Sequence, residues 1–492
     1  MKKTIFTLLL ALTAVSALHA ESFTGNIVVT RNGQNYDSNV TFTVNQGANG
    51  LNTIVMQQVP LFGTLTINNV TAATVNGVTV YSAERNVDTS MGNMNTVLFT
   101  RTVNGMMAAN VTIPTENTTI WFNTVGNHFQ LPNCDMESWT NEYGEPDRWH
   151  GFKTATGTYA GISAGLVKLE QSDDVRSGAT GHSAVMTANS LAGIVANGTM
   201  TNGRLNAGAM SATSTANHAE MDMANGTDDF YMPLYAKPDK FNVWLKYTEG
   251  TANANHKASV SVKTFDGTYY QEPTDKTYTN LSGSIVSTPI PAGGWTQYSF
   301  PFDYDSYAAN HAASEAIFVT FSTNGTPGQG SKNDKLYVDD MELVYLAEMT
   351  DLRYQGVTIE GWNPAVMAYS LQMASEPNLD DFTASVTGAS AVVIKTMEKT
   401  GNNTYRVAIS AVPGDLQDAS CYVITVTVGS AVMRGDVDGN QSVDIGDVTA
   451  LIDYLLSGNS DNIDLVAADM DENTDVNISD VTALVDYLLS GN

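Results

Sequence analysis

Oxygen-bearing side chains recur at alternate positions, twice, near the C-terminal end of this sequence. Asp436, Asp438, Asn440, Asp444 and Asp447 stand at positions 1, 3, 5, 9 and 12 of one twelve-residue stretch. Asp469, Asp471, Asn473, Asn477 and Asp480 repeat the series 33 residues later. Position 7, where such a loop offers a backbone carbonyl, is Ser442 in the first copy and Asp475 in the second. Calcium takes about six to eight oxygens at about 2.3–2.6 Å, so a tight loop studded in this way suits it, and two loops predict two ions. Two departures bear on affinity more than on the identity of the metal. Position 12 is Asp447 or Asp480 where Glu is usual, and Gln441 and Thr474 replace Gly at position 6.

The rest of the chain offers weaker chemistry. Gly161-Ile162-Ser163-Ala164-Gly165 has nucleophile-elbow spacing, but an elbow needs a strand, a sharp turn and a helix in an α/β sheet. Residues 158–160 and 166–170 read as β-like, so a β-turn of small residues is expected there. Glycoside hydrolysis needs two carboxylates about 5–10 Å apart. Asp135, Glu137, Glu220 and Asp222 are the candidates, whereas Asp339 and Asp340, at the start of a terminal strand, suit a metal or turn role. The histidines beyond the leader show no HxH or HExxH spacing, which argues against zinc. Sugars stack on aromatic faces. Of the available rings, Trp244 lies among Phe241, Val243 and Leu245 and reads as core, and Trp295 follows Gly293-Gly294 in a turn. Trp149, in the polar stretch EPDRWHG, reads as an exposed platform, with Tyr269 and Tyr270 as further glycan contacts.

The flanking sequence shows what must hold the two acidic loops. Each runs into an amphipathic segment, VTALIDYLL or VTALVDYLL, while residues 423–429 before the first loop are β-like. The helix that precedes the loop of a full EF-hand is therefore missing. A loop followed by one helix, twice, resembles a type I dockerin across about 58 residues. The resemblance implies a calcium-dependent module that docks into a cohesin on a scaffold or the cell surface. It implies contact through Ile445, Gly446, Ile452 and Asp453 in one copy, and through Ile478, Ser479, Val485 and Asp486 in the other. Near-identical copies imply two interchangeable docking modes. From Gly435 onward there are twelve Asp and one Glu with no Lys or Arg. Such self-repulsion predicts that cation binding and folding of the tail are linked.

At 492 residues the chain has room for three or four domains of about 100–200 residues each. Its 51 Asp+Glu against 23 Lys+Arg give a formal net charge of -28, which repels nucleic acid and anionic membrane surfaces. A 42% hydrophobic content excludes wholesale disorder, and 15% charged residues amid abundant Asn, Thr, Ser and Gly suits an exported β protein. Residues 1–20 read as a signal peptide: Lys2 and Lys3, an apolar run to about residue 17, and a cleavage point after Ala20. No other apolar stretch of about 20 residues predicts a membrane span. The expected location is extracellular, with attachment to the cell surface through a cohesin. Cys134 and Cys421 lie far apart and are expected to be buried thiols, with a bridge between domains as the alternative.

Between leader and tail the pattern is one of short alternating strands. Residues 21–127, opening FTGNIVVTRNGQ, resemble the calycin-like domains of secreted Bacteroidales proteins, which implies a small barrel able to hold an apolar ligand. Met56, Met91, Met94, Met106 and Met107 would line its cavity or, more simply, pack its core. Residues 128–345 carry NCDMESW, PDKFNVWLKY, GGWTQYSFPFDY and GSKNDKLYVDDMELVY. Together these resemble a carbohydrate-metabolism domain family of gut Bacteroidetes, which implies a jelly roll with a sugar-related role. Residues 346–429 resemble cadherin-like or immunoglobulin-like sandwiches and are expected to act as a spacer, with the dockerin-like tail at 430–492. The expectation is a mainly β, multidomain secreted protein that docks to a cohesin and binds polysaccharide during its catabolism. A glycoside hydrolase sited in 128–345, and a non-catalytic structural or adhesive surface component, are the alternatives.

Overall fold

A computed structural model of the chain describes residues 20–490 apart from 48–50, 76–77, 104, 125–128, 227, 254, 287–288 and 430–432. The leader expected at 1–20 lies outside the described residues except for Ala20. Two compact units divide the chain. One holds the residues up to 350 together with 386–394 and 411–420; the other holds 351–385, 395–410 and 421 onward.

The first unit opens with a closed barrel of eight antiparallel strands, in which Ala20–Arg31 pairs with both its successor and the last strand, Thr118–Asn123. Alternation builds it. Along Met106–Ile113, residues Met107, Ala109, Val111 and Ile113 enter the barrel core, while Ala108 faces the neighbouring core outside the wall. Asn32-Gly33 turns the first strand into the second with φ of 50° and 79°, the left-handed pair that a two-residue hairpin turn requires. Side chains fill the interior: Phe42 stacks on Phe122 with ring centroids 5.1 Å apart, and Met56 and Met107 are buried around them. Met94 closes the edge of that core, Met106 is half-buried and Met91 is exposed.

A sandwich of two sheets follows. One has the order Thr296–Pro301, Lys240–Thr248, Lys335–Val344, Ser183–Thr187, Lys168–Ser172. The other runs Thr199–Thr201, Ala316–Ser322, Ser259–Phe265, Leu281–Val286. Phe241, Val243, Leu245 and Tyr247 from the first meet Met200, Val260, Val262 and Phe321 from the second in one core. The same alternation puts Trp244 on the outer face, half-buried, so it is not the core residue its apolar neighbours suggested. The Gly161–Gly165 segment is helical, α1 (Ala160–Leu166), in place of the expected β-turn, and Ser163 sits in mid-helix, where no elbow could present it.

Beyond residue 345 lie two small sheets. Val357–Thr358, Glu348–Tyr354 and Phe382–Thr387 form one; Ala368–Met373, Ser420–Val428, Thr404–Val412 and Val392–Lys399 form the other. Residues 386–394 and 411–420 of this region complete the first unit, burying Val392, Ile394, Val412 and Leu416 in its core. Arg101 and Asn110 of the barrel donate to the carbonyls of Ser390 and Leu416 at 3.3 and 3.0 Å. Cys134 and Cys421 are half-buried, less enclosed than expected. Among the described residues no helix is long and apolar enough to cross a membrane.

Candidate functional site

The tail folds as two loop–helix copies, with α2 (Ile445–Ser457), a single turn α3 (Leu465–Ala468) and α4 (Ile478–Ser490). Val448 and Leu451 of α2 pack with Val481 and Leu484 of α4, and Val437 and Ala468 close this small core. The start of α2 is a capping box: the Gly446 N–H donates to Asp444, and the Asp444 N–H donates to Asp447. Asp464 caps α3 by accepting from the Val466 and Ala467 N–H groups. That turn was missed in the sequence, although an Asp before LVAA is its signal.

Two carboxylate clusters result. One oxygen each from Asp436, Asp438 and Asp447 lie within 4.8 Å of one another, and so do oxygens of Asp469, Asp471 and Asp480. Asp447 and Asp480 are fully buried. Asp447 accepts the N–H groups of Asp438 and Asp444 at 3.1 and 2.8 Å. Asp480 accepts those of Met470, Asp471 and Asn477 at 2.7, 3.2 and 2.9 Å. A buried carboxylate beside two others is costly unless a cation joins them. The positions at 5 and 9 fold the loop in this structure. Asn440 donates to Asp438 at 3.0 Å and accepts from the Ser442 N–H at 2.8 Å, and Asn473 bonds Asp471 and the Asp475 N–H in the same way. Asp444 and Asn477 cap the helices that follow. Arg434, the cation just before the tail, reaches Glu472 at 3.4 Å.

The residues expected at the docking surface mostly face solvent. Ile445 is 72% exposed and Ile478 68%, unusual for isoleucine at a helix start. Ile452, Asp453, Ser479 and Asp486 are exposed, Gly446 is half-buried, and Val485 leans on the helix core. Leu456 and Leu489 on the same two helices, 82% and 79% exposed, are further apolar side chains left in water that the sequence reading did not single out. Their signal was a second Leu in each YLLS, which the helical period carries off the buried face.

The sugar-contact residues fare differently. Trp149 is fully buried, packed on Phe321 with its indole N–H donating to the Pro132 carbonyl at 3.0 Å, so it offers no platform. The polar residues around it are spent inside the fold. Asp147 accepts from Ser138, Thr140 and the Thr140 and Asn141 N–H groups; burial raises its pKa, but these bonds win and hold it at about 2. Tyr270 is buried against Tyr278 and Phe318, which removes it as a contact, and the half-buried Tyr269 hydroxyl donates to Glu220 at 3.0 Å. His218 also binds Glu220, at 3.1 Å, and holds it below the usual carboxylate range. Asp222 closes a turn by accepting from Ala224 and Asn225. Asp135 accepts from the Glu137 N–H at 3.5 Å, and Glu137 from the His182 N–H at 2.7 Å. Asp339 is pushed up to about 7, by burial first and then by the charges of Asp340 and Glu137. At 3% exposure it is closed to a sugar, and Asp340 is engaged by Arg176 at 2.5 Å. Among the described residues the tail supplies the acidic clusters of three that could hold an ion.

Residues 434–489 match the family model described as the dockerin type I domain. No curated protein matches the chain. Among solved structures, the N-terminal CBM22-1–CBM22-2 tandem domain of Paenibacillus barcinonensis Xyn10C shares 9% identity, with 67% of this chain and 74% of that one covered and a TM-score of 0.22. PNGF-II in a C2 crystal form shares 8%, with 68% and 69% covered and a TM-score of 0.13. A variant fructofuranosidase of Schwanniomyces occidentalis, complexed with fructosylnystose, shares 8%, with 65% and 83% covered and a TM-score of 0.12. At these TM-scores the superpositions define no common overall fold.

Proposed function

We propose, from the type I dockerin domain at residues 434–489, that the tail takes up two calcium ions and docks this secreted protein into a cohesin. The observation that carries the reading is the pair of three-carboxylate clusters, each with one fully buried member. Their donors are all oxygen, which suits a hard cation. Asp436, Asp438 and Asp447 would hold one ion, helped by Asn440, Asp444 and the backbone at Ser442; Asp469, Asp471 and Asp480, with Asn473, Asn477 and the backbone at Asp475, would hold the other. A bound ion supplies the positive charge these clusters lack. The chain then holds the starts of α2 and α4 in place, with Ile445 and Ile478 presented to the partner. Calorimetric titration of the protein with calcium should give two sites. Chelator should lower the helical circular dichroism signal, and a spectrum indifferent to calcium would sink the linkage between binding and folding.

Polysaccharide is the proposed ligand of the β region, which would place the protein in polysaccharide catabolism. Support comes from the outer face of the five-stranded sheet. There Trp295 and Tyr337 meet edge to face at 6.1 Å, both half-buried, beside Lys246 and Asp174. Aromatic faces flanked by charged hydrogen-bonding groups suit a pyranose. Retention of the protein on a polysaccharide panel, with soluble reducing ends read from the same wells, tests this. Retention that falls at least tenfold in Trp295→Ala, without release of reducing ends, is the expected result; release would turn the reading to a glycoside hydrolase.

A further inference from the structure

The other sheet of the sandwich carries on its outer face a cleft of about 580 Å³, within the ordinary range for small-molecule sites. Its floor is a row of small hydroxyl side chains: Thr199, Ser322 and Ser259 stand opposite one another across three neighbouring strands. The residues that alternate with them, Met200, Phe321 and Val260, point into the core. The walls are apolar. Ile162 of α1, Leu191 and Ile194 of the hairpin at 189–196, and Met210 of the following loop all line the cleft, and all four are exposed. Large apolar side chains gathered around a concavity and left in water mark a binding site more often than an accident of sequence.

Charge and hydrogen bonding narrow the ligand. His218 and Glu272 are the ionisable residues in the lining apart from Tyr159, and each already has an opposite partner: His218 pairs with Glu220 at 3.1 Å, and Glu272 with Lys263 at 3.3 Å. No charge is left over to receive an ionised group. The hydrogen-bonding side chains of the lining are otherwise neutral, among them the amides of Asn197, Asn206 and Asn217 and the hydroxyls of the floor. A hydroxyl both donates and accepts, so the floor suits a neutral polar group. We propose that this cleft binds an uncharged amphiphile, with an aliphatic or alicyclic body between Ile162, Leu191, Ile194 and Met210 and a hydroxyl or amide group turned to the hydroxyls of Thr199, Ser259 and Ser322. This site is separate from the Trp295 face and does not depend on the sugar reading.

The test uses the full-length protein with calcium and N-phenyl-1-naphthylamine, an uncharged dye that brightens in apolar surroundings. The dye should bind and be displaced by 1-dodecanol. Dodecanoate should displace it at least tenfold less well, and neutral xylo- and cello-oligosaccharides should leave it in place. The double variant Ile162→Asp/Ile194→Asp should lose at least tenfold in dye affinity at unchanged circular dichroism. Met210→Glu, in a loop, should move the affinity the same way and stands in if the double variant misfolds. Leu456→Ser/Leu489→Ser in the tail should leave it unchanged. Absence of dye binding, equal affinity in the cleft variants, loss confined to the tail variant, or displacement by oligosaccharides would each overturn the proposal.

Discussion

Position 6 of each acidic loop lies in the left-handed region, with φ of 69° at Gln441 and 73° at Thr474. Glycine adopts that backbone freely, whereas a Cβ there costs about 1–2 kcal/mol and a branched one suffers most. Thr474→Gly should therefore stabilise the calcium-loaded tail by about 1 kcal/mol, with a smaller gain for Gln441→Gly. Thermal melts of the loaded protein decide it, and a lower melting point in Thr474→Gly would refute the strain. A second residue-scale prediction concerns Asp339, whose folded pKa of about 7 stands above its unfolded value near about 3.9. A carboxyl so raised favours the fold below about pH 4, and that contribution is lost as pH rises to 7. Asp339→Asn keeps the acceptor that the Asp340 N–H uses at 2.9 Å and removes the titration. Its stability relative to the parent should grow between pH 4 and 7, by about 1.4 kcal/mol for each unit of the pKa difference and so by a few kcal/mol. A difference that is the same in denaturant titrations at pH 4.5 and 7.5 would refute this. At this scale the two three-carboxylate clusters were legible because their chemistry resides in residue type and spacing. Trp149 was not, because the polar residues beside it bond to one another, and sequence does not distinguish an internal polar turn from a wet one.

At the scale of elements, Asp447 serves both the carboxylate cluster with Asp436 and Asp438 and the capping box at the start of α2. Asp447→Asn keeps one of the two oxygens that accept from the Asp438 and Asp444 N–H groups, and it removes a negative ligand. Calcium stoichiometry should fall from two to one, with the 469–480 loop still titrating; retention of two full-affinity sites would show that the cluster at 436–447 is not the ion site. The helices VTALIDYLL and VTALVDYLL were legible from their period, and so were the strands of the barrel. The short pieces were not. α1 has seven residues, two of them glycine, and α3 has four, so packing and one cap decide them where propensity is silent. Trp244 shows a readable signal taken the wrong way. Inward residues at 241, 243 and 245 fix the even-numbered positions on the opposite face.

At the scale of the molecule, the two tail copies present matching side chains: Ile445 with Ile478, Leu456 with Leu489. Replacing Ile445 and Leu456 alone should cost less than tenfold in cohesin affinity, below about 1.4 kcal/mol, because the second copy can take over. Replacing both copies should abolish binding, and a surface titration of the two variants separates the cases. The mainly β architecture and the helical tail were evident from pattern alone. The division beyond residue 345 was not, since it depends on which core Val392, Ile394, Val412 and Leu416 complete, and nothing local to those strands records their distant partners.

Between residues 350 and 421 the chain alternates between its two units, giving 386–394 and 411–420 to the first and keeping 351–385 and 395–410 for the second. In genetic terms that stretch cannot be inherited piecemeal. A recombination joint placed inside it would leave one unit without strands that finish its core, so it must travel with what precedes it as a single block. The dockerin draws its small core, from Val437 to Leu484, on its own residues, so it is the part such events can graft or remove without taking a core residue from that block.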